Sequence, residues 1–221
     1  MLITLSWSLL LAAVLAMLAV PASREAFVAA TRAHPLLLGM AKFALLGTMG
    51  ELLSWKVVSG RWQLSGVRLH QRALAWACYG LVFALAIPLF SHGVEGMLAQ
   101  GLLPGRGAAL AAAFWKSFFL QFFFAFLFMS FHRFIDTLIE NGRLFSRWPV
   151  VATCAGIDWR NMLTVVGWSL VWFWLPAQTV NFMLPPEYRV LGAALLAIAL
   201  GLILGVAKRL SVTRTIDRGA R

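Results

Sequence analysis

Six long apolar stretches run through this chain of 221 residues and limit what it can fold into. They cover residues 2–20, 36–58, 73–90, 108–131, 162–184 and 190–207. Each is long enough to cross about 30 Å of hydrocarbon as a helix that rises about 1.5 Å per residue. The apolar residues are continuous rather than alternating, which favours helices over barrel strands. The sequence therefore predicts an all-α, polytopic membrane bundle of about six transmembrane helices.

The composition supports a membrane protein and excludes other classes. Apolar residues make up 61% of the chain and charged residues only 12%, whereas a soluble domain carries about 25% charged residues. The net charge of +11 is compatible with nucleic acid, but the basic residues lie between apolar stretches, so we expect a membrane surface and no nucleic acid as the partner. Cys78 and Cys154 form no disulfide framework or metal motif.

The distribution of basic residues predicts an orientation. Thirteen of the 19 Lys and Arg residues fall on the side that carries both termini, four fall on the other side, and Lys42 and Lys116 lie inside spans. Basic residues are retained on the cytoplasmic side, so we expect both termini there, in a bacterial inner membrane or, alternatively, in a mitochondrial or peroxisomal membrane. Residues 20–23 resemble a signal-peptide cleavage region, but no basic residue precedes the first stretch, which favours a retained helix.

Several polar residues lie where burial in lipid is unfavourable, and such residues usually face a bundle interior or a solute pathway. The candidates for a pathway are Lys42, Glu51, Lys116, Gln121, Gln178, Asn181 and Arg189. The three cations lie toward the non-cytoplasmic side, where they would form a basic vestibule that attracts anions, and Glu51 is expected to pair with Arg72. Two other interpretations remain open at this point: the polar groups join helices by hydrogen bonds, or single side chains extend to the membrane surface.

The connection at 132–161 begins as an amphipathic continuation of the fourth span. His132, Asp136 and Glu140 are four residues apart and share a helix face, so a metal site is conceivable there. The interpretation that we favour is a solvated face on which Glu140 pairs with Arg143. We expect no metal and no cofactor.

The last span carries a ridge of small residues. Ala193, Ala197, Gly201 and Gly205 recur every four residues, a spacing that allows membrane helices to approach closely. The sequence leaves open whether the ridge packs within the chain or forms a homo-oligomer.

The segment 172–189 resembles the signature of the Mpv-seventeen family of peroxisomal and mitochondrial inner-membrane proteins. The matching residues are Trp174, Gln178, Asn181, Phe182, Pro186 and Arg189, with Pro176 one position later than in the family. Weaker matches lie at Gly50-Glu51, at Arg72 and at Lys116 with Gln121, where Leu120 replaces the family's Asp. The resemblance covers about 36–209 and implies a four-helix family region whose last motif is split into two spans.

The resemblance also suggests three parts of the chain. Residues 1–35 would be an additional N-terminal transmembrane helix and a short loop, 36–209 the family-like bundle, and 210–221 a basic cytoplasmic tail.

The family implies a channel for small solutes. Our first hypothesis is therefore a channel or channel-like transporter for small polar solutes, including anions. The alternative is a non-transporting scaffold whose polar residues hold helices together and whose basic face binds anionic lipid or a partner protein. An enzyme is not expected, because no nucleophile–base pair or metal triad has catalytic spacing.

Overall fold

The computed structural model describes residues 2–64 and 66–219, and it describes no side chains at 200, 204, 205 or 207–219. Within these ranges the chain forms ten α-helices. They are α1 (Leu2–Ala19), α2 (Pro21–Ala33), α3 (Pro35–Ser59), α4 (Leu69–Ala99), α5 (Ala109–Leu120), α6 (Phe126–Glu140), α7 (Val150–Ala155), α8 (Trp159–Asn161), α9 (Leu175–Met183) and α10 (Pro186–Gly219). Three π-helical segments, Gln121–Ala125, Met162–Gly167 and Leu170–Trp174, interrupt the fourth and fifth spans.

The predicted all-α polytopic bundle is confirmed. Among the described residues, six helical stretches are long and apolar enough to cross a membrane, so the protein is an integral, multi-pass membrane protein. These stretches are Leu2–Ala19, Pro35–Ser59, Leu69–Ala99, Ala109–Glu140, Trp159–Met183 and Pro186–Ile203. The third extends beyond its predicted bounds through His92 and Glu95, and the fourth continues to Glu140 as the expected amphipathic extension.

The bundle has two ends that the six spans define. We call the end with the loops 60–68 and 141–149 the basic end, because the sequence places most basic residues on that side. The other end, with the loop 100–108 and the junction at 184–185, is called the opposite end. The predicted tail at 210–221 begins inside α10, which continues to Gly219, while residues 220–221 lie outside the described residues.

The segment that follows α1 is a helix and not the short loop that we expected. Pro21 starts α2, where its missing N–H is harmless and its fixed φ suits a helix. Phe27 stacks on Tyr188 of α10 with 6.1 Å between ring centroids, and Arg32 forms an ion pair of 2.7 Å with Glu187. The N-terminal region is thus fastened to α10 at the opposite end.

Close helix contacts at glycines hold the centre of the bundle together. A Cβ atom at Gly39 of α3 would lie 2.9 Å from the carbonyl oxygen of Gly80 in α4. About three turns further along α3, a Cβ atom at Gly50 would lie 2.9 Å from the carbonyl oxygen of Ala197 in α10. Backbones approach this closely only where side chains are small. Helix α3 therefore packs directly against both α4 and α10.

Candidate functional site

Four ionisable side chains meet near the basic end, and we call them the acid–base quartet: Glu51 of α3, Arg72 of α4, and His132 and Asp136 of α6. The guanidinium of Arg72 forms an ion pair with Glu51, as the sequence predicted, and its Nη1 also lies 3.6 Å from Oδ1 of Asp136. His132 Nδ1 lies 3.1 Å from Oδ2 of Asp136. Three transmembrane helices are thus joined through one arginine.

Aromatic residues fix the quartet in place. Trp76 Nε1 donates a hydrogen bond of 3.0 Å to Oε2 of Glu51, and the ring of Trp76 lies 5.1 Å from that of His132, centroid to centroid. The guanidinium of Arg72 lies 4.5 Å from the ring centroid of Trp55, a favourable cation–π arrangement. The quartet is therefore held in a defined geometry by groups from α3 and α4.

Our interpretation of the His132, Asp136 and Glu140 face was wrong. The side chains of His132 and Asp136 are only 21% and 16% exposed, because α6 turns them toward Arg72 rather than toward solvent. Glu140 lies at 3.4 Å from Arg133 and not beside Arg143. The four-residue spacing correctly placed His132 and Asp136 on one helix face, but it did not show that this face meets Arg72. Among the residues that the structure describes, no group of three or more His, Cys, Asp or Glu could hold a metal ion.

A central cavity of about 390 Å³ begins at the quartet. It runs along nine residues each of α3 (43–51), α6 (128–136) and α10 (193–201), and eight helical rises correspond to about 12 Å. At the basic end it reaches Ser54 and the half-exposed Arg133. Its lining consists of Phe43, Gly50, Glu51, Ser54, Trp76, Phe83, Phe128, Met129, His132, Arg133, Asp136, Trp174, Gln178, Ala193, Ala197 and Gly201.

A hydrogen-bonded polar group lies beside the cavity toward the opposite end. Gln178, 1% exposed, lies on α9 and contributes to the lining. Asn181 Nδ2 donates to Oε1 of Gln178 at 2.8 Å and to the backbone oxygen of Arg189 at 2.9 Å. Arg189 in turn donates from Nη1 to Ser91 Oγ at 3.1 Å. We call Gln178, Asn181 and Arg189 the amide floor.

Gln121 lies close to this floor but outside the central cavity. It is buried and lines a void of about 20 Å³ together with Gln178 and Trp174. Five residues of that void also line the central cavity, so only their side chains separate the two spaces: Phe83, Phe128, Met129, Trp174 and Gln178.

The two lysines inside the spans do not reach the central cavity. Lys42 Nζ donates to Thr31 Oγ1 at 2.9 Å and lies 4.4 Å from the ring centroid of Phe27. Lys116 is paired with Glu95 at 2.5 Å. We had expected a basic vestibule, but Lys116 is neutralised by Glu95, which lies on α4 beyond the residue at which the predicted span ended. Arg189 contributes to the floor from outside the lining.

The small-residue ridge of α10 lies against α3. Ala193, Ala197 and Gly201 line the central cavity where α10 meets α3, and a Cβ atom at Gly201 would lie 2.5 Å from the carbonyl oxygen of Gly50. The contact is within the chain. The fourth member of the ridge, Gly205, lies outside the residues whose packing is described.

The residues that resemble the Mpv-seventeen signature lie around the floor. Trp174 and Phe182 are buried, Pro176 lies in the first turn of α9, and Pro186 begins α10. No family model, curated protein or solved structure matches this chain. The family assignment therefore stays a prediction.

A second, lateral cleft of about 690 Å³ lies between α6 and the π-helical part of the fifth span. It shares Met129, His132, Arg133 and Trp174 with the central cavity. The exposed rings of Trp168 and Trp172 form part of its outer wall. The quartet is thus bordered by two spaces, one inside the bundle and one at its side.

Proposed function

We propose that this membrane protein is a channel-like transporter of small polar solutes, and that the central cavity is its solute pathway. The observation that carries the proposal is that Glu51, His132 and Asp136 of the quartet and Gln178 of the amide floor line one cavity. Ionisable and amide side chains are unfavourable within a bilayer and usually mark a pathway. A volume of about 390 Å³ lies within the range of roughly 300–1,000 Å³ that small-molecule sites occupy.

The floor provides the point at which the pathway is closed. The hydrogen bonds from Asn181 to Gln178 and to the backbone of Arg189 connect α9 with α10. A solute that enters from the basic end meets this connection after about 12 Å. We propose that passage requires these bonds to break, and that Gln121 then joins the path through the adjacent void.

A buried group without a partner supports a cavity that holds water or solute. Trp174 lines the cavity, and in the described part of the chain its Nε1 has no hydrogen-bond partner. Buried polar groups almost always have partners. A water or solute molecule in the cavity would supply this one.

The alternative function is a scaffold that transports nothing. Ser117 Oγ donates to the backbone oxygen of Leu175 at 2.7 Å, which joins α5 to α9 in the manner of a structural bond. Bonds of this kind contribute about 0.6–2 kcal/mol each in membranes. In this case the basic end would bind anionic lipid or a partner protein.

For location, we propose a bacterial inner-membrane protein of the Mpv-seventeen type, with both termini on the cytoplasmic side and no enzymatic activity. The charge asymmetry and the residues around the floor support this. A homo-oligomer in the lipid bilayer remains part of the proposal, although the small-residue ridge lies against α3 in the described chain.

The proposal is tested by solute flux into proteoliposomes, measured by light scattering after an osmotic step with urea, glycerol, glycine or choline chloride. Wild-type protein should accelerate the flux of at least one solute above that of protein-free vesicles. Ser54→Trp should abolish this flux, because Ser54 lines the cavity near the basic end. Thr179→Val is the matched control, since Thr179 bonds only to Leu175 of its own helix.

The outcome separates the two functions. Wild-type protein that passes none of these solutes contradicts the transporter. If Gln178→Ala lowers stability in the same preparation, the scaffold is favoured.

A further inference from the structure

The charges of the acid–base quartet do not balance by themselves. With both carboxyl groups ionised, Glu51 and Asp136 would carry two negative charges, and Arg72, which contacts both, carries one positive charge. Arg133 at the rim is matched by Glu140 at 3.4 Å. With a neutral His132 the quartet therefore has a net charge of −1, and one further positive charge neutralises it.

A proton is one means of neutralisation. His132 Nδ1 and Asp136 Oδ2 are 3.1 Å apart, so a proton on this pair converts the imidazole to a cation beside a carboxylate. Uncompensated charge is unfavourable inside a membrane protein. The quartet is therefore expected to hold one proton when the cavity contains no cation.

The rest of the cavity lining is suited to an organic cation, which could neutralise the quartet in place of a proton. Five aromatic side chains line the cavity together with the two carboxylates: Phe43, Trp76, Phe83, Phe128 and Trp174. Aromatic rings attract cations through their negative faces, and rings grouped around a cavity are a common site for organic ammonium ions. An inorganic cation would need several oxygen ligands, whereas this wall supplies mainly carbon surface.

We propose that the central cavity binds a small organic ammonium ion, which takes the place of the proton on the acid–base quartet. The inference rests on the proposed function and specifies its solute class. It replaces the expected attraction of anions by Lys42, Lys116 and Arg189, which lie outside the cavity lining. When the cation enters from the basic end, the proton leaves His132 and passes to water.

Binding should therefore depend on pH, and the groups that face His132 fix the direction. Asp136 and Arg133 lie on the same helix as His132. Helix α3 contributes Glu51, and helix α4 contributes Arg72 and the ring of Tyr79. Asp158 lies across the lateral cleft. Lower pH favours the protonated quartet, so affinity for the cation should fall as the pH is lowered.

The test is isothermal titration calorimetry of the full-length protein in detergent, with choline as the probe. Its neutral carbon analogue 3,3-dimethyl-1-butanol is the matched control ligand, and acetate is the anion control. Titration in two buffers of different ionisation enthalpy counts the protons released. We expect binding of one choline with release of up to one proton at acidic pH, and no binding of acetate or of the neutral analogue.

Three variants assign the effect to the quartet. Glu51→Gln removes the surplus negative charge and should weaken choline binding by about tenfold or more, which corresponds to about one ordinary ionic contact. His132→Gln keeps the negative charge but has no imidazole, so it should bind choline without proton release. Glu187→Gln, at the ion pair with Arg32 outside the cavity, should behave as wild type.

The outcomes are distinguishable from those of the flux assay, because calorimetry needs no transport. Equal binding of choline and its neutral analogue, or no binding of choline, overturns the ammonium site while urea or glycerol flux still supports the transporter. If Glu51→Gln does not elute as a folded protein, the comparison of proton release between wild type and His132→Gln decides whether the quartet holds the exchanged proton. Proton release that persists in His132→Gln overturns the exchange.

Discussion

Gly201 of α10 packs against the backbone carbonyl of Gly50 in α3, so the two helices touch without intervening side chains. Gly201→Ala should lower the free energy of unfolding by about 1–3 kcal/mol, because the added methyl group forces the helices apart. Gly93→Ala in α4 is the control, since a Cβ atom there would meet nothing within 4 Å. Thermal unfolding in detergent measures both. Equal stability of the two variants would contradict the close contact.

Arg72 is expected to be the most sensitive position of the quartet. Arg72→Met leaves Glu51 and Asp136 without a counter-charge, and breaking a buried ion pair in this way costs about 3–5 kcal/mol. The double variant Arg72→Met/Glu51→Gln should recover part of this loss, because the remaining carboxylate of Asp136 still faces His132. Chemical unfolding followed by tryptophan fluorescence measures the two losses.

The control for Arg72 is Arg32→Met. The side chain of Arg32 is 69% exposed in its pair with Glu187, and exposed pairs contribute about 0–1 kcal/mol. A loss at Arg72 no larger than that at Arg32 would show that the quartet does not carry a buried charge network.

The amide floor gives a prediction about flux. Asn181→Ala removes both hydrogen bonds that connect Gln178 with Arg189, at a cost of about 1–3 kcal/mol in stability. Solute flux in proteoliposomes should rise relative to wild type, since the closure is weakened. Thr179→Val should leave the flux unchanged. A fall in flux would mean that Asn181 contacts the solute rather than closing the path.

Access to the cavity can be measured with a single cysteine. In a background with both native cysteines replaced by alanine, Ser54→Cys should react with a charged, membrane-impermeant methanethiosulfonate reagent from the basic end only. Leu89→Cys, at a position that is 69% exposed on the apolar surface, should remain unmodified by the same reagent in membranes. Labelling in sealed and inverted vesicles also reveals which side of the membrane the basic end faces. Equal labelling of both positions would show that Ser54 does not face an aqueous space.

The sequence predicted the number and the helical type of the membrane spans because apolar length is a local property. It also predicted the Glu51–Arg72 pair, since both residues lie a few turns from the same predicted loop. The pairing of Lys116 with Glu95 was missed because Glu95 follows a histidine and a glycine that look like the start of a loop. Tertiary contacts keep that segment helical, and the hydrophobic periodicity of a sequence does not reveal tertiary contacts.

The turn of His132 and Asp136 toward Arg72 was missed for a different reason. Amphipathic spacing shows that two side chains share a helix face, but it does not show whether that face meets water or another charged helix. The deciding residue, Arg72, lies 60 positions earlier in the chain. Only the packing of α4 against α6 brings them together.

The π-helical segment Gln121–Ala125 has a consequence for chain length. A π-turn accommodates one residue more than an unbroken α-helix uses, while the flanking helices keep their relative rotation. Deleting one phenylalanine at 122–124 should therefore be absorbed with α6 still facing α4. The same deletion within 127–131, where each residue advances the helix by about 100°, would swing the imidazole and carboxylate of the quartet away from their arginine. Within this span, a one-residue deletion is therefore expected to be tolerated only in the π-helical turn.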